Sequence, residues 1–349
     1  MPTAKRLFCL DFVRAASVLL IIVYHFRSQL LYQYPNTHVA GNIGFLGVGF
    51  GDLGVTLFII LSGAALMASN PNRPQISDYL KKRFLAIFPA YWVAFIAATI
   101  FCLVLNGHLN DSGEYWKFLI SLVGMDGFLL YRIPNYYAVG EWFVGFIIIL
   151  YFIFPILRTI MLKSALALPI AIAIIFFFAH RIYGQYFDLP ETRNPIMRIP
   201  DLMFGMFFIQ YAIYNKKYLL LLSIAAIVAL KYWNPAVSPL IYLFIVGVPV
   251  FCLASAIAES VPFPAWTVRL VAFLSKYSFL AFLVHHQLIY AFLGRIDGSK
   301  FSVLEADSLC ILIVLLSFGS AFLLHPLVDK LTGGLKKLIY SSTARVTTN

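Results

Sequence analysis

The sequence predicts an all-α, polytopic integral membrane protein, and three observations carry that prediction. Hydrophobic residues make up 61% of the 349-residue chain and charged residues only 12%, with a mean hydropathy of +0.86; no soluble core of this size needs so much apolar surface. Apolar runs of about 20 residues, the length a helix needs to cross a bilayer, recur from end to end. The basic residues behind the net charge of +11 gather in short loops between those runs. There they set membrane orientation, and nucleic-acid binding is not expected.

The elements follow in order. About ten spanning helices are expected, over residues 7–27, 44–68, 85–106, 138–160, 165–181, 199–215, 218–233, 237–257, 269–293 and 307–328. The first, LFCLDFVRAASVLLIIVYHF, holds Asp11 and Arg14 in its middle and lacks a short apolar core with a small-residue cleavage site. It is therefore read as a span and not as a signal peptide. The stretch 117–131 is apolar but short and is broken by Gly124, Asp126 and Gly127, which suits an interfacial or re-entrant segment. Cys9, Cys102, Cys252 and Cys310 all fall inside apolar runs, where packing is a better reading than disulfides or metal ligation. Lys5, Arg6, Arg73, Lys81, Lys82, Arg83, Arg158, Lys163, Lys216, Lys217, Arg269, Lys276, Lys330, Lys336, Lys337 and Arg345 fall on the N-terminal side of the membrane. The opposite loops are poorer in Lys and Arg, so both termini are expected in the cytoplasm. No repeat, linker or low-complexity tract divides the chain. Residues 1–349 read as one membrane domain with a polar tail over 329–349.

Function is sought where charge enters the bilayer, because an Asp or Arg at mid-depth costs about 2.5–3.5 kcal/mol on insertion scales. Arg14 and His25 lie eleven residues apart, roughly three turns plus about 20°, so they share one helix face about 16 Å apart. Asp11, one turn before Arg14, can pair with it. In the second run, GDLGVTLFIILSGAALMAS, Ser62 adds a hydroxyl at depth and Asp52 an acid at the outer mouth; small-residue packing explains the glycines equally well. In DYLKKRFLAIFPAYW, Lys81, Lys82 and Arg83 suit an anionic phosphate, or they only enforce topology. Pro89 can open a helical carbonyl, and Tyr91 and Trp92 either bind a ligand or pack. Glu141 opens an apolar run at the depth of His25, where a carboxylate can fix a histidine tautomer or complement a helix dipole. Arg198 and Asp201 form a site pair or an interfacial ion pair. His285 and His286 sit inside the ninth run, about 100° apart around the axis; a lone intramembrane histidine more often packs than catalyses. No histidine pair has zinc-ligand spacing, and no P-loop, dinucleotide fingerprint or GxSxG elbow is present. A metal centre is not expected.

In order, these segments resemble the acyltransferase-3 family of bacterial integral membrane acyltransferases, which O-acylate cell-surface polysaccharides and other acceptors. LDFVRAASVLLIIVYHF is similar to the family's opening helix, in which Arg or Lys is followed, after ten residues, by His. GDLGVTLFIILSG resembles its FxxSG helix, KKRFLAIFPAYW its RIxPxYW helix, and GEWF its glutamate-containing segment. RIPDLMFGM and SKYSFLAFLVHH resemble its RxPxFxxG and SxxxYxxH segments. Three positions depart from the pattern: a second arginine is replaced by Ala86, the polar residue after the glutamate by Trp142, and the YxxH tyrosine by Phe282.

The resemblance implies an O-acyltransferase, with acetyl the expected group, carrying it from cytoplasmic acyl-CoA to a hydroxyl of a surface polysaccharide or lipid-linked sugar. The expected location is the bacterial inner membrane, in contact with membrane lipid. His25 is expected as general base, with Glu141, Arg14 and Asp11 completing the catalytic set. Arg14, Lys81, Lys82, Arg83 and Tyr91 are expected to hold the donor, with Lys81 and Lys82 compensating for Ala86. Asp52, Ser62, Trp142, Arg198 and His285 are expected to face the acceptor. Acyl-CoA is a co-substrate, and no permanently bound cofactor is implied. Direct transfer and an acyl-enzyme route both suit these residues. The competing reading is a transporter or flippase for an amphipathic substrate, lined by the same charges. A structural subunit of an export complex ranks last, since it gives Arg14 and His25 no task.

Overall fold

Helices dominate the computed structural model, which describes residues 7–70, 75–108, 114–233 and 235–346. The order is α1 (Phe8–Gln33), a hairpin of β1 (Gly44–Phe45) and β2 (Val48–Gly49), α2 (Phe50–Ser69), α3 (Ile76–Asn106), α4 (Phe118–Leu122), α5 (Asp126–Leu129), α6 (Phe143–Lys163), α7 (Ala167–Tyr186), α8 (Ile199–Gln210), α9 (Leu219–Tyr232), α10 (Pro239–Ser260), α11 (Ala265–Leu293) and α12 (Val303–Val346). Among the described residues, α1, α2, α3, α6, α7, α10, α11 and α12 are long and apolar enough to cross a membrane. The chain is an all-α polytopic membrane protein.

The remaining two expected spans are shorter than predicted. With 12 and 14 residues, α8 and α9 reach only about 18 and 21 Å, below the ~30 Å hydrocarbon core. The expected span 199–215 stops at Gln210 because Ala212 turns left-handed, with φ 46°. Other boundaries move as well. α3 begins at Ile76, so Lys81, Lys82 and Arg83 stand on a helix and do not end a loop. α12 runs through to Val346, making most of the polar 329–349 stretch helical. Lys5, Arg6 and Arg73, and residues 347–349 of that stretch, lie outside the described residues.

α1 is the central helix and packs against α2, α10, α11 and α12, while α2 packs on α8. The α2–α8 contact requires glycine. A Cβ on Gly63 would lie 2.0 Å from the Leu202 carbonyl oxygen, and one on Gly205 would lie 1.8 Å from that of Ile60, so the two backbones touch directly. Arg198 closes the same contact. Its Nε donates to Asp201 at 2.7 Å and its Nη2 donates to Thr56 Oγ1 at 2.6 Å, with Arg198 and Asp201 both buried. This corrects the expectation that Arg198 faces the acceptor: it is sealed beside its own counter-ion and ties α8 to α2.

Segment 117–131 folds as the short helices α4 and α5 and does not span. It leans on α3, where Trp92 Nε1 donates to the Leu122 carbonyl at 2.9 Å and the Tyr91 hydroxyl donates to Asp126 at 3.2 Å. Burial pushes the Asp126 carboxyl up from 3.8 to about 6, against the Tyr91 hydroxyl, which favours the charged form. A raised carboxylate value means that ionisation opposes folding. That cost is absent below about pH 4, grows to about 3 kcal/mol by pH 6 and stays at that level above it. Asp126→Asn keeps an acceptor for Tyr91 and is expected to melt higher than the parent at pH 7, with the gap closing as pH falls to about 4. Melting curves across that range test it; a gap that does not change with pH would refute the assignment.

Candidate active site

Helix α1 sets the axis of the site, with Arg14 and His25 on one face as the sequence spacing requires. At the His25 end, four side chains from three parts of the chain converge. His25 Nδ1 lies 2.9 Å from His285 Nε2 and 3.1 Å from His286 Nε2, and its ring stacks on that of His285 with a 16° interplanar angle. His25 Nε2 stands 3.7 Å from Glu141 Oε1, and the same carboxylate pairs with His286 Nε2. His285 is fully buried, whereas the His25 and Glu141 side chains are each 18% exposed.

The hydrogen bonds assign the protons. The carbonyl of Phe282 can only accept, and His285 Nδ1 lies 2.5 Å from it, so His285 carries its proton on Nδ1 and bares Nε2. The 2.9 Å contact then requires His25 to donate through Nδ1–H. In the neutral ring, His25 Nε2 is left with a free lone pair facing the Glu141 side of the site. His286 donates through Nε2–H to the Glu141 carboxylate, and its Nδ1 accepts from the Tyr290 hydroxyl at 3.2 Å.

Glu141 does not begin α6 as the sequence suggested. It sits two residues before that helix in the left-handed region, with φ 44°, directly after Gly140 at φ 80°. A side chain there costs about 1–2 kcal/mol, so neighbours must hold it. Gln287 Nε2 donates to the Ala138 carbonyl at 2.5 Å, and Asn135 Nδ2 donates to the Asp126 carbonyl at 2.9 Å. Gly127 of α5 lies so close that a Cβ would meet the Glu141 carbonyl oxygen at 2.0 Å. Segment 117–131, of unassigned role in the sequence, is thus the floor on which Glu141 rests.

At the Arg14 end a cavity of about 330 Å³ opens, lined by Arg14, Ser62, Arg83, Tyr151, Ser275, Lys276, Phe143 and Phe282, with other apolar residues. Ser275 Oγ donates to Asp11 at 2.6 Å and accepts from Arg14 at 3.3 Å, while Asp11 lies 3.6 Å from Arg14. Asp11 is buried in that contact and positions Arg14; it is remote from the His25 end of α1. Arg83 faces the same cavity, between the Tyr79 and Tyr151 rings at 5.9 and 5.8 Å. Ala86 also lines it, and Lys276 supplies a cation there. The far wall is the edge-to-face pair of Phe143 and Phe282, 5.5 Å between ring centres. Phe282 is the residue whose carbonyl orients His285, so one lining residue of the cavity also touches the histidine cluster.

Several expected site residues fall elsewhere. Lys81 covers the Tyr340 ring at 5.5 Å and Lys82 is exposed; neither lines the Arg14 cavity, so Arg83 and Lys276 carry its positive charge with Arg14. Tyr91 is buried and bonded to Asp126, which makes it a support for the α4–α5 segment and not a donor contact. Ser62 does line the cavity, its hydroxyl donating to the Phe58 carbonyl at 2.8 Å. Asp52 is exposed at the start of α2, where Gly51 lies against the Tyr24 ring beside His25. Trp142 follows Glu141 and packs edge-on against Phe143 and Phe146, with the Arg193 guanidinium 5.6 Å above it. His286, Gln287, Lys276 and Gly127 were not expected at the site from sequence. For His286 the adjacent His285 was the available signal; for the others nothing local distinguishes them from packing or topology.

A polar cluster at one end of a central transmembrane helix, with a cationic cavity toward the other, places two polar sites within one membrane domain. A family model described as an acyltransferase domain matches residues 7–325. The chain belongs to that acyltransferase-3 family and is a membrane acyltransferase. Neither a curated protein nor a solved structure gives a significant match.

Proposed function

We propose that this acyltransferase moves an acetyl group from cytoplasmic acetyl-CoA to a hydroxyl of a surface polysaccharide or lipid-linked sugar at the outer face of a bacterial inner membrane. The observation that carries the reading is the cavity that has Arg14, Arg83 and Lys276 on its walls and Phe282 at its end. Cations there suit the donor's phosphates. The acyl-bearing arm then runs along α1 toward the histidines, over a distance of about 16 Å.

At the cluster, His25 Nε2 takes the proton of the acceptor hydroxyl as its oxygen attacks the thioester carbonyl. The carbon–sulfur bond breaks, the proton returns to the leaving thiolate, and free CoA and an ester result. Glu141 offsets the positive charge on the imidazole ring, and His285 holds the tautomer through its bond to Phe282.

The test follows acceptor-dependent thiol release by the purified protein in nanodiscs, with acetyl-CoA and an envelope-glycan extract. Arg14→Ala is expected to raise KM for acetyl-CoA about tenfold, the loss of one charge-assisted contact, with a smaller change in kcat. An unchanged KM would remove Arg14 from the donor site. Absence of release with any donor and glycan would favour transport.

A further inference from the structure

We propose that His25, His285, His286 and Glu141 bind a single zinc-class ion, and that the bound ion switches transfer off. The first half stands on geometry alone. One ligand atom from each of the four residues falls within a common 4.8 Å. A tetrahedral ion with bonds of about 2.0–2.1 Å holds its ligand atoms about 3.3 Å apart. The nitrogens of His285 and His286 lie 2.9 and 3.1 Å from His25 Nδ1, so those two pairs open by only a few tenths of an ångström to admit the ion, while the Glu141 carboxylate parts further from His286 Nε2 to take its own place on the metal. Three imidazoles and one carboxylate form a donor set that suits zinc over magnesium or calcium. His285 already has the outer hydrogen bond typical of a ligating histidine, Nδ1–H to the Phe282 carbonyl, which aims Nε2 into the cluster. The partial exposure of His25 and Glu141 gives the ion a way in. Sequence spacing gave no sign of such a site, since its ligands are separated by more than a hundred residues on either side of Glu141.

The second half rests on the proposed role of His25. With the ion on Nδ1, the ring proton moves to Nε2, and the proton of His286 moves from Nε2 to Nδ1. No proton is gained or lost, but His25 Nε2 then holds a proton where the hydroxyl must deliver one. The base is blocked.

The full-length protein in nanodiscs, stripped with chelator, is titrated with Co2+ alone and followed by the visible absorption that tetrahedral Co2+ displays. Expected are one bound equivalent, displacement by one equivalent of Zn2+, and affinity losses above about tenfold in His285→Ala and His286→Ala. His180→Ala, outside the cluster and paired with Glu191, is expected to bind as the parent does. Absence of tetrahedral absorption in the folded parent would overturn the site without recourse to any variant, as would parental binding by His286→Ala. Thiol release measured in the same preparation is expected to fall as Zn2+ occupancy rises; undiminished turnover at full occupancy would overturn the inhibitory role. If no donor and glycan give thiol release, the absorption titration still decides whether the ion binds.

Discussion

Replacing His25 with alanine is expected to lower acceptor-dependent thiol release by about 10²- to 10⁴-fold, the range a general base contributes. The neutral tautomer forced by Phe282 and His285 leaves His25 Nε2 as a bare nitrogen aimed toward Glu141. Removal of that nitrogen takes away the proton acceptor, and His286 cannot replace it because its Nε2 proton is committed to the Glu141 carboxylate. Truncation of His285 is expected to have a smaller effect and a different signature. His25 survives, but both its tautomers become accessible, so kcat falls while its pH profile moves. The comparison is run on folded, monodisperse protein from each variant. A His25→Ala protein that keeps more than about a tenth of the parental rate would move the base elsewhere.

How far the sequence could lead is clear from individual residues. Arg14 and His25 were legible because helical arithmetic is local: eleven residues return a side chain to nearly the same face. The apolar runs were legible as well, and they locate the eight long spans among the described residues, although six of these have an end displaced by five to eighteen residues. Glu141 was legible as a residue but not as a conformation, since its left-handed backbone is imposed by Gly127, Asn135 and Gln287 from outside the helix it precedes. The pairing of His25 with His285 and His286 crosses about 260 residues, and no periodicity records a contact of that span. Tyr91 and Arg198 misled for the opposite reason. Each has the chemistry of a ligand-binding side chain, and only their burial beside Asp126 and Asp201 shows that the fold itself uses that chemistry. Lys276 looked like one more positive-inside residue, and only the fold shows that it lines the Arg14 cavity together with Ala86.

The second large effect is expected far from any charge, in Gly127→Ala. The added methyl would lie 2.0 Å from the Glu141 carbonyl oxygen, 2.1 Å from its carbon and 2.8 Å from the Trp142 nitrogen. Those are backbone atoms, so no flexible side chain can swing aside. The segment they belong to is held at the Ala138 carbonyl by Gln287, and Asn135 ties its start to the Asp126 carbonyl. The least costly escape is for Glu141 to leave its left-handed conformation, which moves the carboxylate off His25 and His286. Misplacement by about 1 Å at a reacting centre costs about 10²-fold in rate, so kcat should fall by that order. The donor cavity shares no lining residue with this contact, and KM for acetyl-CoA should hold. Glu141→Gln should show the same split, because it removes the charge that the displaced carboxylate fails to deliver. Gly184→Ala, where a methyl meets open space, is the matched control and should leave both constants unchanged. Parental kcat in Gly127→Ala would mean that the position of Glu141 does not limit transfer, and the carboxylate would then lose its place in the mechanism while His25 kept its own.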